Sequence, residues 1–231
     1  TVDNVTGNAD TDLTISSIIK DWTNPTQVIK NGAGTMTLSG NNTYTGGTTV
    51  NEGTLSMNSV NALGTGMITV NHATLHNGAS GPSAISNNLT TTGWFYWGAG
   101  SQDLSIDGDW TNNSNILWVN SGGTLTFNGL VSGLSPIYGG GGTIAVTNSN
   151  NNFTGAPEVT HSSTLQFTTI ANSGVNSSLG AGSQISFDSN ATQNMNGYIE
   201  NIGAGGSTNR TVAFGAHNGN NTAGIANNGT G

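Results

Sequence analysis

The densest group of carboxylates in the sequence lies in one short segment, at Asp103, Asp107 and Asp109. If this segment is extended, these odd-numbered side chains point to the same face of a strand. Carboxylate oxygens are preferred ligands of Ca²⁺, although no complete calcium-loop motif surrounds the three residues. The segment therefore suggests two alternatives, a bound calcium ion or three solvated carboxylates, and no other cofactor is expected.

A run of four aromatic residues, Trp94, Phe95, Tyr96 and Trp97, forms the second candidate site. In a strand, Trp94 and Tyr96 point to one face and the other two point to the opposite face. We expect one pair in the core and the other outside, where its rings would stack on sugars, contact a protein or lie under a flanking loop. The predicted binding surface could be extended by two further aromatic residues, Trp118 and Tyr138.

Residue patterns typical of catalysis are weak in this sequence. His72 and His76 are four residues apart, which in a strand is about 13 Å and too far for one metal ion. The sequence contains no nucleophile elbow and no zinc-type histidine pair. A glycosidase needs two carboxylates that face each other across a cleft, and only the acidic segment brings several carboxylates close together. We therefore expect no catalytic residues and no enzymatic activity, with both histidines at the surface.

The composition excludes several classes of protein. Only 6% of the 231 residues are charged, against about 25% in a typical domain. Three cations, Lys20, Lys30 and Arg210, stand against eleven acidic residues, which excludes nucleic acid as a partner and disfavours an anionic membrane. No apolar run reaches the roughly 20 residues of a membrane-spanning helix. The sequence does not begin with a leader peptide, so we expect any export signal to lie outside it.

A motif of a small residue, then Thr or another polar residue, then apolar-x-apolar recurs along the chain at intervals of about 20 residues. Its threonines, in two runs spaced by 19 to 21 residues, are Thr35, Thr54, Thr74 and then Thr124, Thr143, Thr164. Short alternating strands at a fixed period are typical of a β-solenoid, in which each coil buries its apolar residues by stacking on its neighbours. The 36 glycines and the many asparagines suit the tight corners of such a fold. The sequence therefore predicts an all-β solenoid with about 20 residues per coil.

Alternation within these strands predicts the core. Every second residue points inward, so the apolar residues of successive coils should stack into one internal ladder. The residues of this predicted ladder are Met36, Leu38, Leu55, Met57, Leu125, Phe127, Ile144, Val146, Leu165, Phe167, Ile185 and Phe187. Asn77 occupies a position where an inward apolar residue is expected.

A longer repeat is superimposed on the coil period. Residues 41–46 are echoed by residues 151–155, and residues 62–66 are echoed by residues 178–182. The asparagines of the first pair are expected to stack as corner ladders; they are Asn41, Asn42, Asn151 and Asn152. No linker or change of composition separates the two copies. We therefore expect one continuous solenoid over residues 1–231, built from modules at about 1–95 and 96–231.

Residues 30–57 contain a sequence pattern that resembles that of a known repeat family. Their strand-turn-strand spacing, the Asn-Thr-Tyr-Thr-Gly-Gly-Thr core and a downstream Leu-Gly-Thr-Gly resemble the autotransporter-associated β-strand repeat, also called the passenger-associated transport repeat. The resemblance is close over residues 12–75 and degenerate over residues 103–187. It implies a right-handed parallel β-helix, exported by a bacterium and displayed on or beyond the cell surface. The family has no shared catalytic residues that could be transferred to this sequence.

Three functions are compatible with these observations. The first is a structural rod, a subunit or segment of a surface fibre or autotransporter passenger stalk, which associates with itself or with neighbouring repeats end to end because strand edges at the ends of a solenoid template further pairing. The second is an adhesin that binds glycans through an exposed aromatic patch. The third is a polysaccharide-degrading β-helix enzyme. The scarcity of charge favours the first, since charged edge residues would discourage association.

Overall fold

The computed structural model describes residues 1–3, 11–81, 83–114, 116–120, 123–187, 196–214 and 223–230. Within these residues the secondary structure consists of short β-strands, and every pair of adjacent strands is parallel. The strands form three sheets that run side by side along one axis. Over this part of the chain, no helix is long and apolar enough to cross a bilayer. The predicted all-β parallel solenoid is confirmed.

The largest sheet contains ten strands. In order along the solenoid they are β1 (Thr11–Ile15), β3 (Thr35–Leu38), β5 (Thr54–Met57), β7 (Ala73–Asn77), β10 (Phe95–Trp97), β13 (Ile116–Val119), β16 (Ile137–Gly139), β18 (Glu158–Val159), β20 (Gln184–Phe187) and β22 (Thr211–Phe214). Each strand pairs with the strand one coil earlier and the strand one coil later, so the hydrogen bonds of the sheet run along the solenoid axis.

Two smaller sheets form the other sides of the solenoid, each over part of its length. The seven-stranded sheet contains β8 (Ala84–Ile85), β11 (Leu104–Ile106), β14 (Leu125–Phe127), β17 (Thr143–Val146), β19 (Ser163–Thr169), β21 (Gly197–Gly205) and β23 (Ala223–Asn227). The six-stranded sheet contains β2 (Val28–Lys30), β4 (Thr48–Val50), β6 (Ile68–Val70), β9 (Leu89–Thr91), β12 (Trp110–Asn112) and β15 (Val131–Gly133).

The register between strands gives the coil length directly. Thr35 pairs with Thr54, which pairs with Thr74, so the predicted repeat of the threonines is one coil of the solenoid. Later coils are longer: Val159 pairs with Phe187, because the segment between them carries an additional loop. Insertions of this kind are tolerated in a solenoid because each coil contacts only its neighbours.

All twelve residues of the predicted ladder are buried. The structure divides them between two ladders, however, where the sequence predicted one. Leu38 and Met57 are paired in the ten-stranded sheet, as Phe187 is with its neighbours, whereas Leu125 and Ile144 are paired in the seven-stranded sheet. The motif occurs in both sheets with the same spacing, which is why the sequence does not separate them. Asn77 is fully buried among them, and its amide donates to Asp103 O at 3.1 Å.

Two corners of the solenoid have the same construction. The first corner comprises residues 42–48 and 62–66, and the second comprises residues 151–155 and 178–182. In the first, the Tyr44 ring lies against Gly64, where an added Cβ would be 2.9 Å from the ring carbons. In the second, the Phe153 ring lies against Gly180 in the same way. Both glycines have positive φ angles, 61° and 69°, a conformation that glycine adopts without a steric penalty.

Candidate functional site

The outer face of the ten-stranded sheet carries a continuous row of side chains from six successive coils. Successive pairs in the register join Thr11, Thr35, Thr54, Thr74, Tyr96 and Trp118. Their neighbours in each strand point inward, because side chains alternate between the two faces of a strand. The row therefore changes from hydroxyl side chains on four coils to aromatic rings on the next two. We call the first part the threonine row.

A groove of about 390 Å³ lies along the threonine row. A second row contributes to its lining, because Ser56 pairs with His76 one coil later and the two side chains are joined by a hydrogen bond of 3.1 Å. Burial lowers the pKa of His76, so its imidazole is neutral at neutral pH. The full lining is Thr11, Thr35, Thr54, Ser56, Thr74, His76, Gly98, Ala99 and Asn120. The groove therefore offers several hydrogen-bonding side chains and carries no charge at neutral pH.

Five ring side chains continue from the threonine row as an aromatic strip, in the order His72, Trp94, Tyr96, Trp118 and His161. The distances between successive ring centroids are 5.3, 6.4, 6.5 and 4.3 Å. Trp94 is 50% exposed, while Tyr96 and Trp118 are half-buried. Aromatic pairs at these separations are mutually stabilising, so the strip is a built surface and not a set of isolated rings.

The ends of the aromatic strip are held by unusual backbone. Among the described residues, the non-glycine residues with positive φ are His72, His161 and Ser162, and the two histidines are the ends of the strip. A left-handed conformation is unfavourable for a residue with a Cβ. Gly139 and Gly140 leave the space that the Trp118 indole occupies, since an added Cβ at Gly140 would lie 2.6 Å from its Cδ1.

The structure divides the aromatic run as expected, with one pair in the core, and it removes Phe95, Trp97 and Tyr138 from the predicted binding surface. Phe95 and Trp97 are completely buried, and so is Tyr138, so these three residues belong to the core and cannot contact a ligand. The reason is register: Phe95 pairs with Ala73 and Trp97 pairs with Leu75, both of which point inward. The sequence contained a signal for this outcome, because the outer threonines repeat at one-coil intervals and Tyr96 continues their row.

No sequence pattern placed His72 and His161 in the aromatic strip. His72 precedes β7, and His161 follows β18 two coils beyond Trp118. Each ring reaches an aromatic side chain of another coil, a contact that no local motif predicts.

The structure does not bring the three aspartates together on one strand face. Asp103 and Asp107 flank β11, and Asp109 lies beyond the corner at Gly108, so the segment is not the single extended strand that the prediction assumed. All three carboxylates are exposed and accept hydrogen bonds from the next coil: from Thr124 N at 2.6 Å, Asn128 Nδ2 at 2.7 Å and Leu130 N at 2.9 Å. In the described part of the chain, no three His, Cys, Asp or Glu side chains are grouped closely enough to hold a metal ion.

The asparagines of the two corners connect neighbouring coils. Asn42 is buried; its Oδ1 accepts from Ile19 N at 2.8 Å and its Nδ2 donates to Ala62 O at 2.7 Å. Asn61 Nδ2 donates to Asn41 Oδ1 at 2.6 Å on the outside of the same corner. These contacts satisfy backbone groups that the turn leaves without a sheet partner.

Comparison with known proteins gives two matches. Residues 28–57 match the family model described as passenger-associated-transport-repeat. The chain is also 32% identical, over 94% of its own length, to the protein named adhesin BmaC autotransporter from Brucella suis biovar 1 (strain 1330). It spans only 6% of the length of that relative. No solved structure matches the chain.

Proposed function

We propose, from the premise that this chain belongs to the passenger-associated transport repeat family, that it forms a rigid β-solenoid rod within the exported passenger region of a bacterial surface protein. In this function the chain is structural and non-enzymatic. It holds other parts of the surface protein at a distance from the cell, or builds a fibre with other solenoid coils.

The observation that carries this proposal is the coincidence of the family repeat with a structural unit. The matched residues, 28–57, begin at the first residue of β2 and end at the last residue of β5. Within them β2 pairs with β4, and β3 pairs with β5. The repeat therefore supplies two stacked layers of the solenoid, and adding copies of it would lengthen the rod along its axis.

The relative supports a location at the cell surface. Its name identifies it as an autotransporter adhesin, and the present chain corresponds to a small part of it. A rod of hydrogen-bonded coils with few charged residues suits this place. Its stability comes from contacts between neighbouring coils and does not depend on a large globular core.

The last strands of two sheets support association along the axis. In the described part of the chain β22 ends the ten-stranded sheet and β23 ends the seven-stranded sheet. Phe214 on β22 is 61% exposed and Ile225 on β23 is 67% exposed. Strand edges with apolar side chains are templates for further pairing, so a further coil, from a neighbouring repeat or a second copy, would bury them.

Small-angle scattering over a concentration series tests the axial association. We expect the particle to lengthen with concentration at constant cross-section, in steps of about 45 Å, the rise of ten stacked strands. Ile225→Asp should abolish this growth, because the charge would lie in the contact. Val60→Asp is the matched control, since Val60 is 63% exposed on the side of the rod, and it should leave the growth unchanged.

A chain that stays strictly monomeric at high concentration would contradict end-to-end association. Release of products from an acidic polysaccharide by the purified chain would contradict the non-enzymatic role.

A further inference from the structure

We propose that the outer face of the ten-stranded sheet binds a neutral polysaccharide, which lies along the solenoid axis with its sugar rings on the aromatic strip and its hydroxyl groups in the groove beside the threonine row. This function goes beyond that of a structural rod. It assigns the aromatic strip and the groove to one elongated site.

The groove and the aromatic strip are continuous. Thr74 pairs directly with Tyr96, and Tyr96 pairs with Trp118, so the groove leads into the aromatic strip without a step. From Thr11 to Trp118 the row crosses six coils, which is about 24 Å at the spacing of stacked strands. A straight, extended face of this length fits a linear polymer better than a compact ligand.

The side chains of this face match the two kinds of surface of a sugar ring. A pyranose ring has apolar C–H faces and a rim of hydroxyl groups. Exposed aromatic rings such as Trp94 offer apolar area with little conformational freedom to lose. Thr and Ser hydroxyls, the His76 imidazole and the Asn120 amide each act as hydrogen-bond donors and acceptors. The face therefore offers both kinds of contact that a sugar requires, arranged in adjacent positions.

The charge of this face favours neutral over acidic sugars. No Lys, Arg, Asp or Glu lines the groove, and the chain has a net charge of −8. Lys30 and Arg210 are buried and donate to backbone carbonyls, such as Gly32 O and Leu179 O, while Lys20 is exposed but does not belong to the lining. An anionic polymer would find no cation here and would be repelled by the rest of the molecule.

The side chains of this face are already held in place by the fold. His72 and His161 hold strained backbone conformations at the two ends of the strip, and each ring packs on a tryptophan. The strands beneath are fixed by hydrogen bonds to two neighbouring coils. A ligand would therefore bind without a large loss of conformational entropy in the protein. A protein partner fits this groove less well, since its lining contains none of the large apolar side chains that form the core of protein interfaces.

Affinity measurements on immobilised polysaccharides test the proposal. The probes are neutral glucans, mannans and galactans, with polyuronates as the acidic comparison. We expect binding to at least one neutral polymer and about tenfold weaker binding to polyuronates. Trp94→Ala should weaken binding about tenfold, as truncation of a central aromatic contact does. Trp22→Ala is the matched control, because Trp22 is 88% exposed and lies outside the strip, and it should have no effect.

Thr54→Val gives a second, independent variant, because it removes one hydroxyl from the groove at nearly constant volume and should weaken binding severalfold. Circular dichroism checks that each variant is folded. The proposal is wrong if no neutral glycan binds, if polyuronates bind as strongly, or if Trp94→Ala and Thr54→Val bind like the unmodified chain. Loss of binding to a protein, and not to a glycan, in the same variants would assign the face to a protein partner. Scattering measures the rod separately, so failure of glycan binding leaves the structural function intact.

Discussion

The first and second corners share their backbone but differ in the side chains that stabilise it. In both, a buried asparagine spans the turn: Asn151 accepts from Val131 N at 2.7 Å and donates to Ser178 O at 3.0 Å, as Asn42 does with its own neighbours. In both, the backbone carbonyl of the aromatic residue accepts a hydrogen bond from the N–H of the residue that follows the glycine. The distance is 3.0 Å from Thr65 N to Tyr44 O and 2.8 Å from Ala181 N to Phe153 O.

The difference lies in what satisfies the carbonyls of the Leu-Gly dipeptide. In the first corner Thr48 Oγ1 donates to Leu63 O at 3.1 Å, and Asn87 Nδ2 is 3.2 Å from Gly64 O. In the second corner one buried cation replaces both donors: Arg210 donates to Leu179 O at 2.8 Å and to Gly180 O at 2.6 Å. The guanidinium makes further contacts with Ala171 O, Val175 O and Ser177 Oγ.

This comparison shows what the repeat specifies. A turn of this shape always leaves the same carbonyls inside, and buried carbonyls must find donors. The donors themselves can come from any coil that reaches them. The first corner uses neutral side chains from two neighbouring coils, whereas the second, which has a longer loop, uses a single residue that carries several donors in a fixed planar arrangement.

Removal of the Arg210 side chain should cause the largest loss of stability, and this loss should be confined to the second corner. Arg210→Met leaves several carbonyls without donors, and we expect a loss of about 4 kcal/mol of local stability. Hydrogen exchange should accelerate in residues 169–182 and remain unchanged in residues 42–66. The matched control is Lys20→Met, which removes an exposed cation and should change stability by less than about 0.5 kcal/mol. Equal acceleration in both corners would contradict this separation.

Alanine at the corner glycines should have the next largest effect, and it should be equal in the two corners. In Gly64→Ala and Gly180→Ala, the new methyl group meets the ring of Tyr44 or Phe153 at 2.9 or 2.6 Å, in a left-handed conformation. We expect each substitution to cost about 3 kcal/mol, as the sum of backbone strain and overpacking. Denaturant unfolding measures the cost.

Two other glycines separate these two contributions. Gly100 and Gly174 also have positive φ, 74° and 83°, but an added Cβ would have no neighbour within 4 Å. Alanine at either position should therefore cost only the backbone strain, about 1 kcal/mol. If all four variants lose the same stability, ring packing does not contribute at the corners.

The smallest expected change in stability comes from the hydroxyl group of Tyr44, which Phe153 in the second corner lacks. Tyr44 and Thr48 are joined by a hydroxyl hydrogen bond of 2.5 Å, for which Phe153 has no counterpart. Tyr44→Phe should cost about 1 kcal/mol at neutral pH. Burial raises the pKa of Tyr44 to about 12, so the folded protein retains the hydroxyl proton where the unfolded chain, with a pKa near 10, loses it.

The stability contributed by Tyr44 should decrease as the pH rises. The stability that the protonated Tyr44 contributes is fully present below pH 10 and is lost as the pH rises towards 12. Guanidinium chloride unfolding at intervals from pH 8 to pH 12 should show a steeper loss in the unmodified chain than in Tyr44→Phe. Parallel curves for the two proteins would show that the hydroxyl is not linked to folding.

The sequence determined the solenoid itself. A coil of about 20 residues, the inward alternation of apolar residues and the placing of glycine and asparagine at corners all follow from local spacing, because each coil repeats the same strand periodicity and turn chemistry. The burial of Leu38 or Val146 is predictable from two neighbouring residues. The resemblance of residues 30–57 to a known repeat follows from the same local regularity.

Only the tertiary structure decided which residues meet between coils. It placed Tyr138 in the core, brought His161 onto the aromatic strip, and directed the three aspartates to donors of the next coil. The physical reason is that these contacts depend on the stacking register, which is set by the lengths of all intervening loops and not by a local pattern. A change of one residue in a strand's register would exchange its inner and outer faces.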